Sequence, residues 1–151
     1  MGMTKKRFKI LLFSFTILSF TTTSCASLKK VNPITKNYYN ELKAELIAQG
    51  YEANLIIISS KRAKWFNNIL TKFGAARNSQ HLDGNAIDIL VMDVNSDRKK
   101  NGEDVDIVYN ILNDKIIKNN GGIGTYKNEK RIWNRQMVHF DCRGHRARWH
   151  R

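Results

Sequence analysis

The sequence predicts an α+β fold, a single compact domain with a mostly antiparallel sheet and about three helices. Three observations carry this reading. The chain has 151 residues, enough for one domain and little more. Its β-branched runs are short and separated by irregular loops, and its helical periodicities cluster early and in the middle.

The elements follow in order. Over 38–49 the apolar residues Tyr39, Leu42, Leu46 and Ile47 recur at helical spacing, and Gly50 stops the run. Residues 54–59 (Asn-Leu-Ile-Ile-Ile-Ser) read as a buried strand. A second helix fits 63–73, with Trp65, Phe66, Ile69 and Leu70 as its inward face and Gly74 as its stop. A strand follows over 86–92, then a polar excursion over 93–104. A third helix runs over 105–118 with Val105, Val108, Ile111 and Leu112 inward. The turn Asn119-Asn120-Gly121-Gly122 opens a strand over 123–126, and residues 128–134 are polar around Trp133. The last strand spans 136–142. The tail, 143–151, is basic; His145 and His150 read as exposed there, and His150 sits near a fraying end.

The first 37 residues read as an address. Lys5, Lys6, Arg7 and Lys9 precede an apolar run from Ile10 to Phe20, too short to span a bilayer comfortably. A polar stretch then leads to Cys25 with Ser24 before it. This resembles the bacterial lipobox, in which the cysteine is diacylated and becomes the new N-terminus, although Thr22 stands where the common pattern has leucine. An uncleaved anchor and ordinary secretion are the other two readings. The division is therefore 1–24 signal peptide, 25–37 lipidated cysteine and tether, and 38–151 the domain. Such a chain is expected to be exported and held on a bacterial membrane, facing the periplasm or the cell surface.

Net charge is +13. Loss of the four basic residues of the leader leaves +9, which favours anionic surroundings such as phospholipid or teichoic acid. Nucleic acid is not an expected partner, because the basic residues are scattered and the chain is exported. If Cys25 carries lipid, Cys142 has no partner for a disulfide. Strand alternation then makes Cys142 a small core residue beside Val138 and Phe140.

Two segments carry chemistry. The first is Ser79-Gln80-His81-Leu82-Asp83-Gly84-Asn85-Ala86-Ile87-Asp88 and the second Met137-Val138-His139-Phe140-Asp141. Two imidazoles and a carboxylate are what a catalytic Zn²⁺ takes from a protein, with a fourth position left for water. His81 and Asp88 lie two turns apart on any continuous helix, about 10 Å. The chain must therefore fold back between them, and Gly84 permits the turn. On a strand, Asp141 shares the face of His139. There it either orients that imidazole or pairs with Arg143 at the strand end.

Ser-x-His-x-x-Gly-x-Ala-x-Asp followed by Val-His-x-Asp resembles the zinc D-alanyl-D-alanine carboxypeptidases of bacterial cell-wall metabolism. Ser60-Lys61-Arg62 resembles that family's Ser-Gly-x-Arg segment. Gly121-Gly122-Ile123-Gly124-Thr125-Tyr126 resembles its Gly-Gly-x-Gly-x-Tyr turn, and Arg143-Gly144 with Ala147-Arg148-Trp149 its ending. The resemblance implies the Hedgehog/DD-peptidase fold and a monomeric zinc peptidase acting on peptidoglycan stem peptides. It implies His81, Asp88 and His139 as zinc ligands and Arg62 as the clamp for a substrate carboxylate, with Ser79 and Tyr126 beside the substrate. The family places an acidic general base three positions before the last histidine, where this chain has Gln136. An amide takes no proton near neutral pH. Asp141, Glu129 and Asp83 are the possible substitutes, and a zinc-stabilised peptidoglycan-binding module without turnover is the alternative function.

Asp93-x-Asn95-x-Asp97 with Asn101 and Asp104 echoes a calcium loop. Arg98 at the glycine position and Asp104 in place of the bidentate glutamate point instead to a solvated loop.

Overall fold

Asn32 opens the first helix, α1 (Pro33–Ala48). Its side chain accepts the Ile34 backbone N–H at 2.9 Å, and Pro33 occupies the first turn, where no N–H is needed. The computed structural model describes residues 28–127 and 136–151. Cys25 and the signal-peptide boundary lie outside these residues, as do Glu129 and Trp133. Within them, the expected tether over 25–37 is corrected. The chain enters through a 3₁₀ turn, Leu28–Lys30, and Val31 and Thr35 are already buried. Apolar periodicity starts only at Tyr38, so it missed a first turn that the Asn-Pro pair signals by capping.

The remaining elements are β1 (Leu55–Ser59), α2 (Lys64–Thr71), β2 (Ala86–Val91), α3 (Gly102–Ile111), β3 (Gly122–Tyr126), β4 (Met137–Asp141) and β5 (Ala147–His150). A π-helical turn, Leu112–Ile116, extends α3. The sheet order is β1-β2-β4-β3-β5, antiparallel except for the parallel β3–β5 pair. The α+β class holds, with three α-helices and five strands among the described residues.

Alternation sorts the sheet into two faces. Ile87, Ile89, Val91, Ile123, Val138 and Phe140 turn to one side. There they join Leu42 and Leu46 of α1 and Val105, Val108 and Ile111 of α3 in the core. The other face carries Asp88, His139 and Asp141, with α2 alongside. Asp104 fixes α3 as half of a capping box, accepting the Asn101 and Val94 N–H groups at 2.9 and 2.8 Å. The oxygens of Asp93, Asn95 and Asp97 likewise accept backbone N–H groups of the same loop. The calcium echo is therefore a self-capped turn.

Two expectations are overturned. The predicted inward face of the second helix points out: Trp65 is 68% exposed, Ile69 45% and Phe66 42%, and the helix buries only Asn67. Periodicity reveals that a helix has an apolar face, not what covers it. The tail is not frayed either. As β5 it pairs with β3, and His150 sits between Thr125 Oγ1, at 2.7 Å, and the ring of Tyr109.

Strand pairing creates one row across the open face: Ser59 opposite Asp88, Asp88 opposite His139, His139 opposite Gly124, and Gly124 opposite Trp149. Gly124 is the gap in the row. A Cβ there would lie 2.2 Å from the Trp149 ring, so the indole occupies that space and reaches His139, 5.2 Å between ring centroids. Gly124→Ala must displace the ring, and overpacking of this kind costs about 1–3 kcal/mol. A melting temperature lowered by several degrees, together with a weaker metal affinity, is the expected result; an unchanged melt would show that the ring does not rest there.

Candidate metal centre

The loop that delivers His81 is tied at three points. The Asn32 N–H donates to Gly84 O at 2.9 Å, the Arg62 N–H to His81 O at 2.8 Å, and Asn85 N–H to Gln80 O at 2.9 Å. Gly84 takes φ +77°, the turn that folds the chain back onto β2. The loop enters β2 so that Asp88 emerges two residues into the strand, directly opposite His139 on β4.

The three side chains converge. His81 Nε2 lies 3.1 Å from Asp88 Oδ2 and 3.3 Å from His139 Nδ1, and His139 Nδ1 lies 2.7 Å from Asp88 Oδ1. A tetrahedral Zn²⁺ with ligand bonds near 2.0 Å separates its ligand atoms by roughly 3.3 Å, so the donor set fits the ion. The tautomers agree. His81 Nδ1–H donates to Ser60 O at 2.6 Å and His139 Nε2–H to Asp141 Oδ2 at 3.1 Å. Each imidazole thus turns its other nitrogen toward the same point as the carboxylate. All three residues are buried. Facing lone pairs in a buried pocket call for a cation, either a proton or a metal.

In the metal-free chain that cation is a proton on His139. Burial pulls its pKa down, but hydrogen bonds to Asp141 and Asp88 and their charges outweigh this and raise it from 6.5 to about 9. Burial also opposes ionisation of Asp88, yet the two imidazoles hold its carboxyl well below the usual range.

Asp141 is the settled member of the group. Its Oδ1 accepts N–H groups from Gly122 at 3.0 Å, Arg143 backbone at 3.1 Å and Arg143 Nε at 2.8 Å. Its Oδ2 accepts Arg143 Nη2 at 2.6 Å and His139 Nε2. Both readings offered for it hold at once: it orients the imidazole and pairs with Arg143. With every lone pair engaged and its pKa held far down against burial by His139 and Arg143, it is not a proton acceptor. Its expected role as substitute base is corrected to a positioning one.

His81, Asp88 and His139 floor a cleft of about 800 Å³ that Arg62, Ser79 and Tyr126 also line. The Ser79 hydroxyl accepts the His81 N–H at 3.4 Å, and Tyr126 Oη accepts Trp149 Nε1–H at 3.1 Å. Arg62 Nη2 donates to Ser59 Oγ and to Asp88 Oδ2, at 2.9 and 3.4 Å, while Nη1 donates to Asn67 Oδ1 at 3.2 Å. Gln136 does not line the cleft. It is buried in left-handed backbone at φ +55°, its carbonyl accepts the Val91 N–H, and its Oε1 has no partner among the described residues. Asp83 is exposed and also outside the cleft. Cys142 is half-buried just beyond β4, less enclosed than a core residue.

One contributor escaped the sequence reading, and a second was read there only as an ion-pair partner of Asp141. Asn67, wholly buried, accepts from Arg62 and donates to Ala76 O and Arg77 O, joining α2 to the loop before His81. Arg143 grips Asp141 and lies over Trp149, 5.4 Å from its ring. An isolated Asn in a helix gives no signal; the Asp-x-Arg spacing at a strand end did.

An α+β domain that gathers two imidazoles and a carboxylate at the floor of a cleft has the donor set of a metallopeptidase. The chain matches the family model described as Peptidase M15 over residues 17–111, well over half its length, and it belongs to that family. The match takes in His81 and Asp88 but ends before β3 and β4, so His139 joins them through the fold. No curated protein and no solved structure matches the chain.

The proton on His139 gives the site a pH signature. A folded pKa raised from 6.5 to about 9 contributes stability that is complete below about pH 6.5 and is lost as pH rises through 9. Zinc must displace that proton, so its affinity rises up to tenfold per pH unit across the same window. Melting curves with and without chelator should show the metal-free chain folded, because its core needs no metal. They should also show it weakening from pH 6.5 to 9 while the zinc-induced rise in melting temperature grows. Asp141→Asn should cut zinc affinity about 10–100-fold, the usual effect of losing such a carboxylate partner, as read by competition with a chelating dye.

Proposed function

We propose that this chain is a zinc-dependent peptidase acting on peptidoglycan stem peptides beside a D-alanine, held to a bacterial membrane by lipid on Cys25. The observation that carries the reading is the convergence of His81 Nε2, Asp88 and His139 Nδ1 at the floor of a cleft shared with Arg62, in a chain of the Peptidase M15 family. Zinc held by these residues supplies a Lewis acid that polarises a scissile carbonyl and acidifies water.

The chain's own residues do the rest. Ser60 O and Asp141 fix the two imidazole tautomers, so neither ring must reorient during turnover. Arg62 keeps Asp88 aimed inward through Nη2 and retains N–H groups for a substrate carboxylate, a task its planar fork suits. Phe66, Leu70 and Phe73 form an apolar wall against which a peptide lies away from water, and Tyr126 stands opposite beside Trp149.

One observation favours a second reading, a zinc-stabilised wall-binding module without turnover. Among the described residues, Asp88 is the one carboxylate lining the cleft, and it is a candidate ligand. For hydrolysis, Glu129 is the remaining substitute base named from the sequence, and it lies outside the described residues.

Purified protein with zinc and pentapeptide muropeptides is expected to release D-alanine or shorten crosslinks. Retention on insoluble peptidoglycan with no product, zinc being bound, would establish the binding module instead. Glu129→Gln should lower kcat by about 10²–10⁴-fold, the usual contribution of a general base. Gln136→Glu should leave the rate unchanged, since the side chain does not line the cleft; a large gain would mean that the family's base position is reachable and has lapsed.

A further inference from the structure

We propose that the outer face of α2, with the neighbouring edge of β1, docks on an anionic phospholipid bilayer. Six of the eight large apolar side chains exposed among the described residues lie here: Ile56 and Ile58 on β1, and Trp65, Phe66, Ile69 and Phe73 in and just after α2. Ile58, Phe66 and Phe73 also line the cleft, whereas Ile56, Trp65 and Ile69 do not; Trp65 and Ile69 lie one helical turn apart. Their exposure serves no contact within the fold, and an apolar patch of this kind marks a binding surface.

Charge names the partner. No Asp or Glu occurs between Glu52 and Asp83, while Lys61, Lys64, Lys72 and Arg77 are exposed along the same stretch. Aromatic and aliphatic side chains framed by lysines, with no acid among them, suit the interface of an anionic membrane. There the rings enter the headgroup region and the lysine stems reach the phosphates.

The chain also enters at the right place. A Cβ on Gly84 would touch both Lys30 O and the Lys61 side chain, at 2.5 and 3.4 Å, so the N-terminal turn and the start of the basic segment are neighbours. Between Cys25 and Leu28 stand only Ala26 and Ser27, a reach of about 10 Å when extended. This last point rests on the lipid-anchor reading of Cys25; the patch does not.

The test uses the full chain, reconstituted through its leader into phosphatidylcholine vesicles with and without phosphatidylglycerol. Amide hydrogen exchange is followed over residues 61–77, with the 93–100 loop as internal reference. Phosphatidylglycerol should slow exchange over 61–77 about tenfold and leave the reference loop unchanged, and high salt should reverse the effect. Trp65→Ser combined with Lys72→Glu, both at exposed positions, should abolish the protection while core exchange in β2 stays slow. Equal exchange on both vesicles, or protection by insoluble peptidoglycan in place of vesicles, overturns the proposal. The anchor is read separately as a diacyl mass increment on Cys25, so its failure and that of the docking face are told apart.

Discussion

The antiparallel register of β2 against β4 sets Asp88 opposite His139, and the rest of the site is arranged around that pair. Opposed residues on one face of a sheet stand close enough to interact directly. A slip of one residue would carry Asp88 into the core and bring Ile87 or Ile89 to the cleft. Ile87, Ile89 and Val91 prevent it, because a slip of β2 would carry all three from the core to the open face. The apolar core thus fixes the register on which the polar geometry of the site depends.

Around the pair, each candidate ligand is held from behind by a neighbouring group. Ser60 O holds His81, Arg62 holds Asp88, and Asp141 holds His139, itself clamped by Arg143. β3 makes the last of these possible by carrying no side chain where the clamp lies. A Cβ on Gly122 would lie 2.5 Å from Asp141 Oδ2, and one on Gly124 would enter the Trp149 ring. The Gly-Gly-x-Gly-x-Tyr segment reads in the structure as bare backbone on which an ion pair and an indole can lie flat.

Much of this was legible in the sequence, and the remainder fails for identifiable reasons. His81, Asp88 and His139 were found because ligand chemistry and spacing are local properties of two short segments. The sheet was found because β-branched runs are local too. The β5 strand was not: Ala147-Arg148-Trp149-His150 has no apolar alternation, and its pairing with β3 depends on a parallel neighbour elsewhere in the chain. The direction of α2 was misread because Trp65, Phe66, Ile69 and Leu70 have the periodicity of a core face whether or not anything covers them. Asp141 was left between two roles that the structure shows to be one, since a carboxylate with two oxygens serves an arginine and an imidazole together.

The burial pattern of α2 has a thermodynamic side. Its one fully buried residue is Asn67, so the helix is fastened to the molecule by the hydrogen bonds of a single carboxamide together with the partly covered Phe66, Ile69 and Leu70. Lifting it away would expose the covered part of those side chains and exchange the hydrogen bonds for solvent, a smaller loss than for a helix with a buried apolar face. The wall of the cleft is therefore less firmly held than the row of Asp88 and His139 on the sheet beneath it. Asn67 thus joins the helix that walls the cleft to the loop that delivers His81.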